Sequence, residues 1–368
     1  MLRSETSDDF LSYRVHNYSE FESDNVTGWT VSDGFIKLIQ LEDGTQELYR
    51  VDSDLSEVEN LINEVDYSTD IQRLTNIGNS IRGVSDNPTI NLTNQNLVNR
   101  NANCKSYAES YFSDVMDVNN SRAFNGQLSI EVNGDKCIFN TNAIPNHDFN
   151  DGGDSFPNDV TAQDDTFQIT ASPRFANETS PLSLRVDNAL LLNGVKVDLL
   201  AAACFGVGDE KTGCNDDSTP WRFDPMHPPN NFRVDSHNAH AQPDGTYHYH
   251  GTPNALYVDG NNDQASPVLG FAADGFPIYG PYIDDNGLIR KALPSYQLRS
   301  GDRPDGNGNP GGAYDGTYRD DYEFVSGSGD LDECNGMMVD GSYGYYITDD
   351  YPYILACFKG TPDTSFNK

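Results

Sequence analysis

The segment "DGTYHYHGTP", residues 244–253, alternates two tyrosines with two histidines directly after a Pro-Asp-Gly turn. Successive side chains of a β-strand point to opposite faces, so His248 and His250 share one face while Tyr247 and Tyr249 share the other. Two imidazoles held side by side by the backbone make half of a metal site. Upstream, "HNAH" supplies His237 and His240, and a hairpin closed at Pro243-Asp244-Gly245 would pair the two segments, with cross-strand partners on one face. Register decides which histidine joins: an even-length loop brings His237 to the face of His248 and His250, an odd one brings His240. Three histidines with a further coordination position open suit catalytic zinc, and equally copper or non-haem iron. Four of the chain's seven histidines fall between positions 237 and 250. That concentration favours a metal site over a packed face of tyrosines and backbone-bonded imidazoles.

The chemistry expected around such a trio depends on the ion. With zinc, a bound water of lowered pKa would attack an ester, amide or phosphoester, with Asp235 or Asp274 as catalytic base or as acceptor for a ligand N–H. With copper, the same ligands would support oxidation by O₂ or peroxide, with a neighbouring tyrosine as redox partner. Tyr247, Tyr249 and Tyr279 are the candidate substrate-binding residues, able to wall a pocket or stack on a sugar ring. The substrate would be a small molecule or a polysaccharide. Competing readings are a non-enzymatic glycan-binding or adhesion module with calcium-ordered loops, and a metal-sequestering protein without turnover. Calcium enters because "DFNDGGDSFPND", "DGNNDQ", "DDNG" and "DRPDGNGN" crowd oxygen ligands, although none fits the EF-hand loop. His16 and His227 are read as structural.

The chain has 368 residues, with 57 acidic against 23 basic side chains and a net charge of -34. Such a charge argues against nucleic acid and anionic membrane surfaces as partners. No apolar run is long enough for membrane insertion. The start "MLRSETSDDF" lacks the apolar core of a signal peptide, so an exported protein would carry that signal outside this sequence. Six cysteines without a CxxC pair point to disulfides, and hence to an extracellular or periplasmic location. Cys204 and Cys214 enclose a short loop, Cys334 and Cys357 bracket a compact C-terminal unit, and Cys104 and Cys137 remain as the third pair.

The fold expected is mainly β. Residues 1–126 read as an α+β N-terminal extension, with helices at "SDLSEVENLINEV" (53–65) and "NCKSYAESYFSDVMDV" (103–118). From Gln127 to Lys368, short β-type runs broken by Gly, Pro, Asn and Asp clusters predict a loop-rich, β-sandwich-like domain. It contains a degenerate internal repeat. "DSHNAHAQPDGTYHYHGTP" aligns with "DECNGMMVDGSYGYYITDD", and "DGFPIYG" echoes "DDYPYIL", giving copies at 235–282 and 332–360. The second copy has Met337, Gly344 and Tyr346 where the first has His240, His248 and His250, so metal chemistry is assigned to the first copy alone.

In these segments the chain resembles the YHYH-domain family of bacterial secreted proteins. The resemblance is carried by "NAIPNHDF", "LNGVKVD", "DSHNAHAQPDGTYHYHG", "GFAADGFPIYGPY", "LDECNG" and "CFKG", from roughly Cys137 to Gly360. It implies export but no particular reaction, because the family is described by its motif. It favours His240 over His237, since the pattern keeps the histidine of "NAH". It also makes His147 in "IPNHDF" a candidate metal ligand or pocket residue. The family pattern places a histidine after "CNG" and a further Tyr-His pair in its C-terminal copy, and this chain has neither.

Overall fold

In a computed structural model, the described residues are 17–23, 26–32, 35–64, 67, 70–71, 74–75, 78, 82, 90–260, 263–339 and 341–368. The chain divides into two compact units, Met1–Ile90 and Asn91–Lys368.

The first unit is built on a four-stranded antiparallel meander, Asn17–Ser23, Val26–Ser32, Ile36–Leu41 and Gln46–Arg50. Alternation along the strands turns Trp29, Val31, Leu38 and Leu48 inward, where they pack with Leu74. The helix expected at 53–65 is absent over its described residues, which form turns. The reason lies in competing acceptors: Asp54 Oδ2 takes the N–H groups of Val58 and Glu59 at 2.8 and 2.9 Å. Leu61 N–H, meanwhile, donates to the Leu48 carbonyl at 2.8 Å. Side chains that satisfy the backbone locally remove the incentive for a helical ladder. Helical backbone does occur in this unit, at Asp70, Ile71, Leu74, Thr75, Gly78 and Arg82.

The second unit packs its two largest sheets around its main hydrophobic core, and its described residues also form four two-stranded pairs and a smaller cluster of Ile283, Ala292, Leu331 and Tyr346. One is built on four antiparallel strands, Ser110–Asp117, Arg122–Asn133, Lys136–Thr141 and Asp165–Thr170. The helix expected at 103–118 is replaced by one 3₁₀ turn, Cys104–Tyr107, and the strand Ser110–Asp117. Ser113, Val115 and Asp117 are buried in alternation, a period of two in place of the helical period of 3.6 expected from the apolar spacing. The position 126/127, where the domain change is expected from sequence, falls inside the strand Arg122–Asn133, which pairs with Ser110–Asp117 over 122–129 and with Lys136–Thr141 over 128–133. The three disulfides are Cys104–Cys137, Cys204–Cys214 and Cys334–Cys357, the expected pairs.

The other sheet has eight strands, in the spatial order Ala239–Ala241, Tyr247–Tyr249, Lys196–Val197, Ala189–Leu191, Val268–Ala272, Pro277–Tyr279, Ser342–Tyr346 and Gly336–Val339. Its two halves repeat. Each half contributes a first hairpin (189–197 or 268–279) and a second hairpin (239–249 or 336–346) that pairs in parallel with it. The halves meet antiparallel, with Leu190 opposite Phe271, as a pseudo-twofold relation requires. In this sheet "DGFPIYG" belongs to the first hairpin of the second half. Its topological counterpart is "NGVKVD" at 193–198, while 351–354 form a turn.

Candidate metal centre

The hairpin that carries the histidines turns through five residues. Gln242 N–H donates to the Thr246 carbonyl and Gly245 N–H to that of Gln242, both at 2.9 Å. Gly245 adopts φ +88°, and a Cβ there would meet Thr161 Oγ1 at 2.1 Å, so glycine is required twice over. The odd loop length sets the register: His240 lies directly opposite His248, and Ala239 opposite Tyr249. His237 is therefore not the third histidine of the cluster; His240 is.

The three Nε2 atoms converge. His248 Nε2 is 3.0 Å from His250 Nε2, which is 3.1 Å from His240 Nε2. Among the described residues, this is the one group of three or more His, Cys, Asp or Glu donors close enough to share an ion. The ring orientations are fixed from behind. His240 Nδ1–H donates to the Phe232 carbonyl at 2.7 Å and His248 Nδ1–H to that of Thr246 at 3.2 Å. His250 Nδ1 is buried without a regular hydrogen bond in the described structure, with the Asp198 backbone beside it. A ring that donates from Nδ1 presents the Nε2 lone pair, so His240 and His248 both turn a lone pair toward His250 Nε2. Burial holds all three imidazoles below the ordinary histidine range, and mutual repulsion pushes His248 and His250 further down. They are therefore neutral at physiological pH, as ligation demands. Metal–nitrogen bonds of about 2.0–2.1 Å place tetrahedral ligand atoms roughly 3.3 Å apart. The two edges that meet at His250, 3.0 and 3.1 Å, are within a few tenths of an ångström of that value.

The remaining candidates lie elsewhere. Asp235 is buried and saturated: it accepts from Tyr247 OH at 2.8 Å and from the N–H groups of His237, Ala239 and Asn150 at 2.9, 3.2 and 3.2 Å. Asp274 is in the other half of the sheet, accepting from Tyr345 OH at 2.6 Å and Gly360 N–H at 2.9 Å. Neither carboxylate joins the converging nitrogens. Tyr247 and Tyr249 are fully buried on the opposite face of their strand. Tyr279 stacks on Tyr346 at 5.1 Å in the second half. His147 is also on the tyrosine side, its Nε2 2.6 Å from Tyr249 OH and its ring 3.9 Å from that of His237. Burial holds His147 down to about 3, so it too is neutral.

Several contributors to the site carry no signal in the sequence. The carbonyls of Phe232 and Thr246 act through the backbone alone. Lys196 is buried opposite His248 and paired with Asp187 at 3.2 Å. It lies in "LNGVKVD", a segment that resemblance had marked without giving it a role.

The second half shows the same scaffold without ligands. Tyr343 OH is 3.2 Å from the Asp332 carboxylate, as Tyr247 OH is bonded to Asp235. Asn335 and Asn238 occupy matching left-handed positions, φ 68° and 65°. Met337, Gly344 and Tyr346 stand at the positions of the three histidines. Tyr279 fills the space where the rings would meet, its Cε2 only 2.5 Å from where a Cβ on Gly344 would sit. A search of curated proteins finds no match to this chain. A family model described as "YHYH protein" does match, over residues 166–360. That span is more than half of the 368 residues and contains both hairpins and all three converging imidazoles, and the chain belongs to the YHYH protein family.

Proposed function

We propose that this is an exported transition-metal protein in which His240, His248 and His250 bind copper for redox chemistry. One observation carries the reading: the ligand nitrogens of three imidazoles lie within 4.8 Å of one another, with His250 Nε2 3.0 and 3.1 Å from those of His248 and His240. Lone pairs on nitrogens so placed repel unless a cation sits among them. Zinc fits the same ligands, but zinc hydrolysis calls for a base beside the bound water. The two carboxylates considered for that task are saturated by other donors, which favours copper. Export is supported by three disulfides in a chain with no free cysteine.

A cleft of about 480 Å³ borders the hairpin and supports a small-molecule or saccharide substrate. Asn238 and Thr252, two residues from His240 and His250, contribute to its wall along with Tyr296, Tyr353 and Asp350. Tyrosine faces combined with carboxylate acceptors suit a polyhydroxylated ligand.

The test is metal analysis by mass spectrometry on protein purified without chelating resin, alongside His248→Ala. Stoichiometric copper in the native protein and background copper in a folded variant is the expected result. Native protein free of transition metal, or a variant that retains it, overturns the proposal.

A further inference from the structure

We propose that Tyr249 and His147 form a proton-coupled electron donor to the metal held by the histidine trio, so that reaction with hydrogen peroxide generates a tyrosyl radical at Tyr249. This inference rests on the copper reading above and adds the co-substrate and the route of the second electron.

The geometry is specific. His147 Nδ1–H donates to the Asp148 carbonyl at 2.8 Å, leaving the Nε2 lone pair to accept from Tyr249 OH at 2.6 Å. Asn193 Nδ2 donates to the same phenol oxygen at 3.0 Å. Tyr249 sits in the chain between His248 and His250, so its backbone joins directly to those of two ligands while its ring occupies the opposite face of the strand. Tyr249 is fully buried and His147 nearly so.

The other half of the sheet provides an internal comparison. There the counterpart of Tyr249 is Tyr345, whose hydroxyl donates to Asp274 at 2.6 Å. The topological counterpart of Asp274 in the first half is Asn193, an amide that cannot take up a proton. The acceptor is supplied instead by His147, from a segment outside the repeat. The half without metal ligands thus keeps a tyrosine–carboxylate clamp, and the half with them has exchanged it for a tyrosine–imidazole pair. Anchoring alone does not explain that exchange, since the carboxylate already anchors.

A phenol that loses an electron becomes a strong acid, and a cation stranded in this core would be expensive. Transfer of the proton along the short hydrogen bond to His147 Nε2 moves that charge from the oxidised phenol, a strong acid, to an imidazole, a far stronger base whose Nδ1–H already donates to the Asp148 carbonyl. The step balances as follows. Copper held reduced by His240, His248 and His250 would supply one electron and Tyr249 the other, and with two protons from solvent these would cleave the O–O bond of hydrogen peroxide. The products are cupric ion, two water molecules, neutral tyrosyl radical and protonated His147, which holds the phenol proton.

The experiment uses the full chain loaded with copper, reduced, and treated with hydrogen peroxide in a rapid freeze-quench series followed by electron paramagnetic resonance. Bound copper is quantified on the same samples. The expected result is a tyrosyl signal in the native protein and in Tyr345→Phe. Tyr249→Phe should lose that signal while copper content and cupric spectrum stay unchanged, and His147→Gln should lose or strongly diminish it. Failure to bind copper overturns both this inference and the proposed function. Copper binding without a tyrosyl signal, or a signal that survives in Tyr249→Phe, overturns this inference alone.

Discussion

At the scale of the residue, each tyrosine of the alternating motif is a tether. Tyr247 and Tyr249 drive aromatic bulk into the core and attach their hydroxyls to Asp235 and His147, which fixes the strand that aims His248 and His250 the other way. Alternation in the sequence revealed the two faces and the pairing of the histidines. It did not reveal that the tyrosine face lies inside the core, nor that Asp235 belongs to that face, because a hydrogen-bond partner is chosen by tertiary proximity. Removal of the Tyr247 hydroxyl leaves the buried Asp235 carboxylate short of a donor, which costs about 1–3 kcal/mol. Tyr247→Phe should accordingly lower the unfolding free energy by that amount, read as a downward shift of the denaturant midpoint at unchanged m, with metal content retained. An unchanged midpoint would show that water or another donor replaces the hydroxyl.

At the scale of the element, the sheet contains the hairpin scaffold twice and the ligands once. The alignment of "DSHNAH" with "DECNGM" was visible because turn chemistry and tyrosine spacing are local. The first hairpin of each half, which shares little sequence with its counterpart, was paired correctly only by strand order. In the second half, Gly344 is not a vacant ligand position: the Tyr279 ring and the Pro277 carbonyl lie 2.5 and 3.2 Å from where its Cβ would be. Gly344→Ala should cost about 1–3 kcal/mol through overpacking. The check is a comparative thermal melt, and a neutral result would mean that Tyr279 moves freely. For the same reason, placing a histidine at 344 would not by itself rebuild a second centre.

At the scale of the whole molecule, the interior is rich in tyrosines whose hydroxyls are removed from water. Burial raises Tyr107, Tyr111, Tyr247, Tyr249, Tyr343 and Tyr345 above the ordinary phenol value of 10.0, and nearby carboxylates add to the effect for Tyr247, Tyr343 and Tyr345. A folded-state value raised above the unfolded one means that the native protein holds the proton more tightly. Its contribution to stability is complete below pH 10 and is lost as pH rises above it, because the unfolded chain ionises first. One unit above the unfolded value, each such tyrosine forfeits about 1.4 kcal/mol. The melting temperature should therefore fall steeply beyond about pH 10, with tyrosinate absorbance appearing together with unfolding. Tyrosines that titrate in a protein still folded would contradict this picture.

The sequence by itself determined the β-rich class, the likeness of the two tyrosine hairpins and the histidine candidates, because side-chain alternation, turn composition and residue spacing are properties of neighbouring positions. Tertiary structure decided the rest. It helped choose turns over a helix at 53–64 by offering the Leu48 carbonyl to Leu61 N–H, and it bound Asp274 to Tyr345 across 71 positions and His147 to Tyr249 across 102. A buried polar group must be satisfied by whatever the fold brings beside it, and no local pattern specifies that partner.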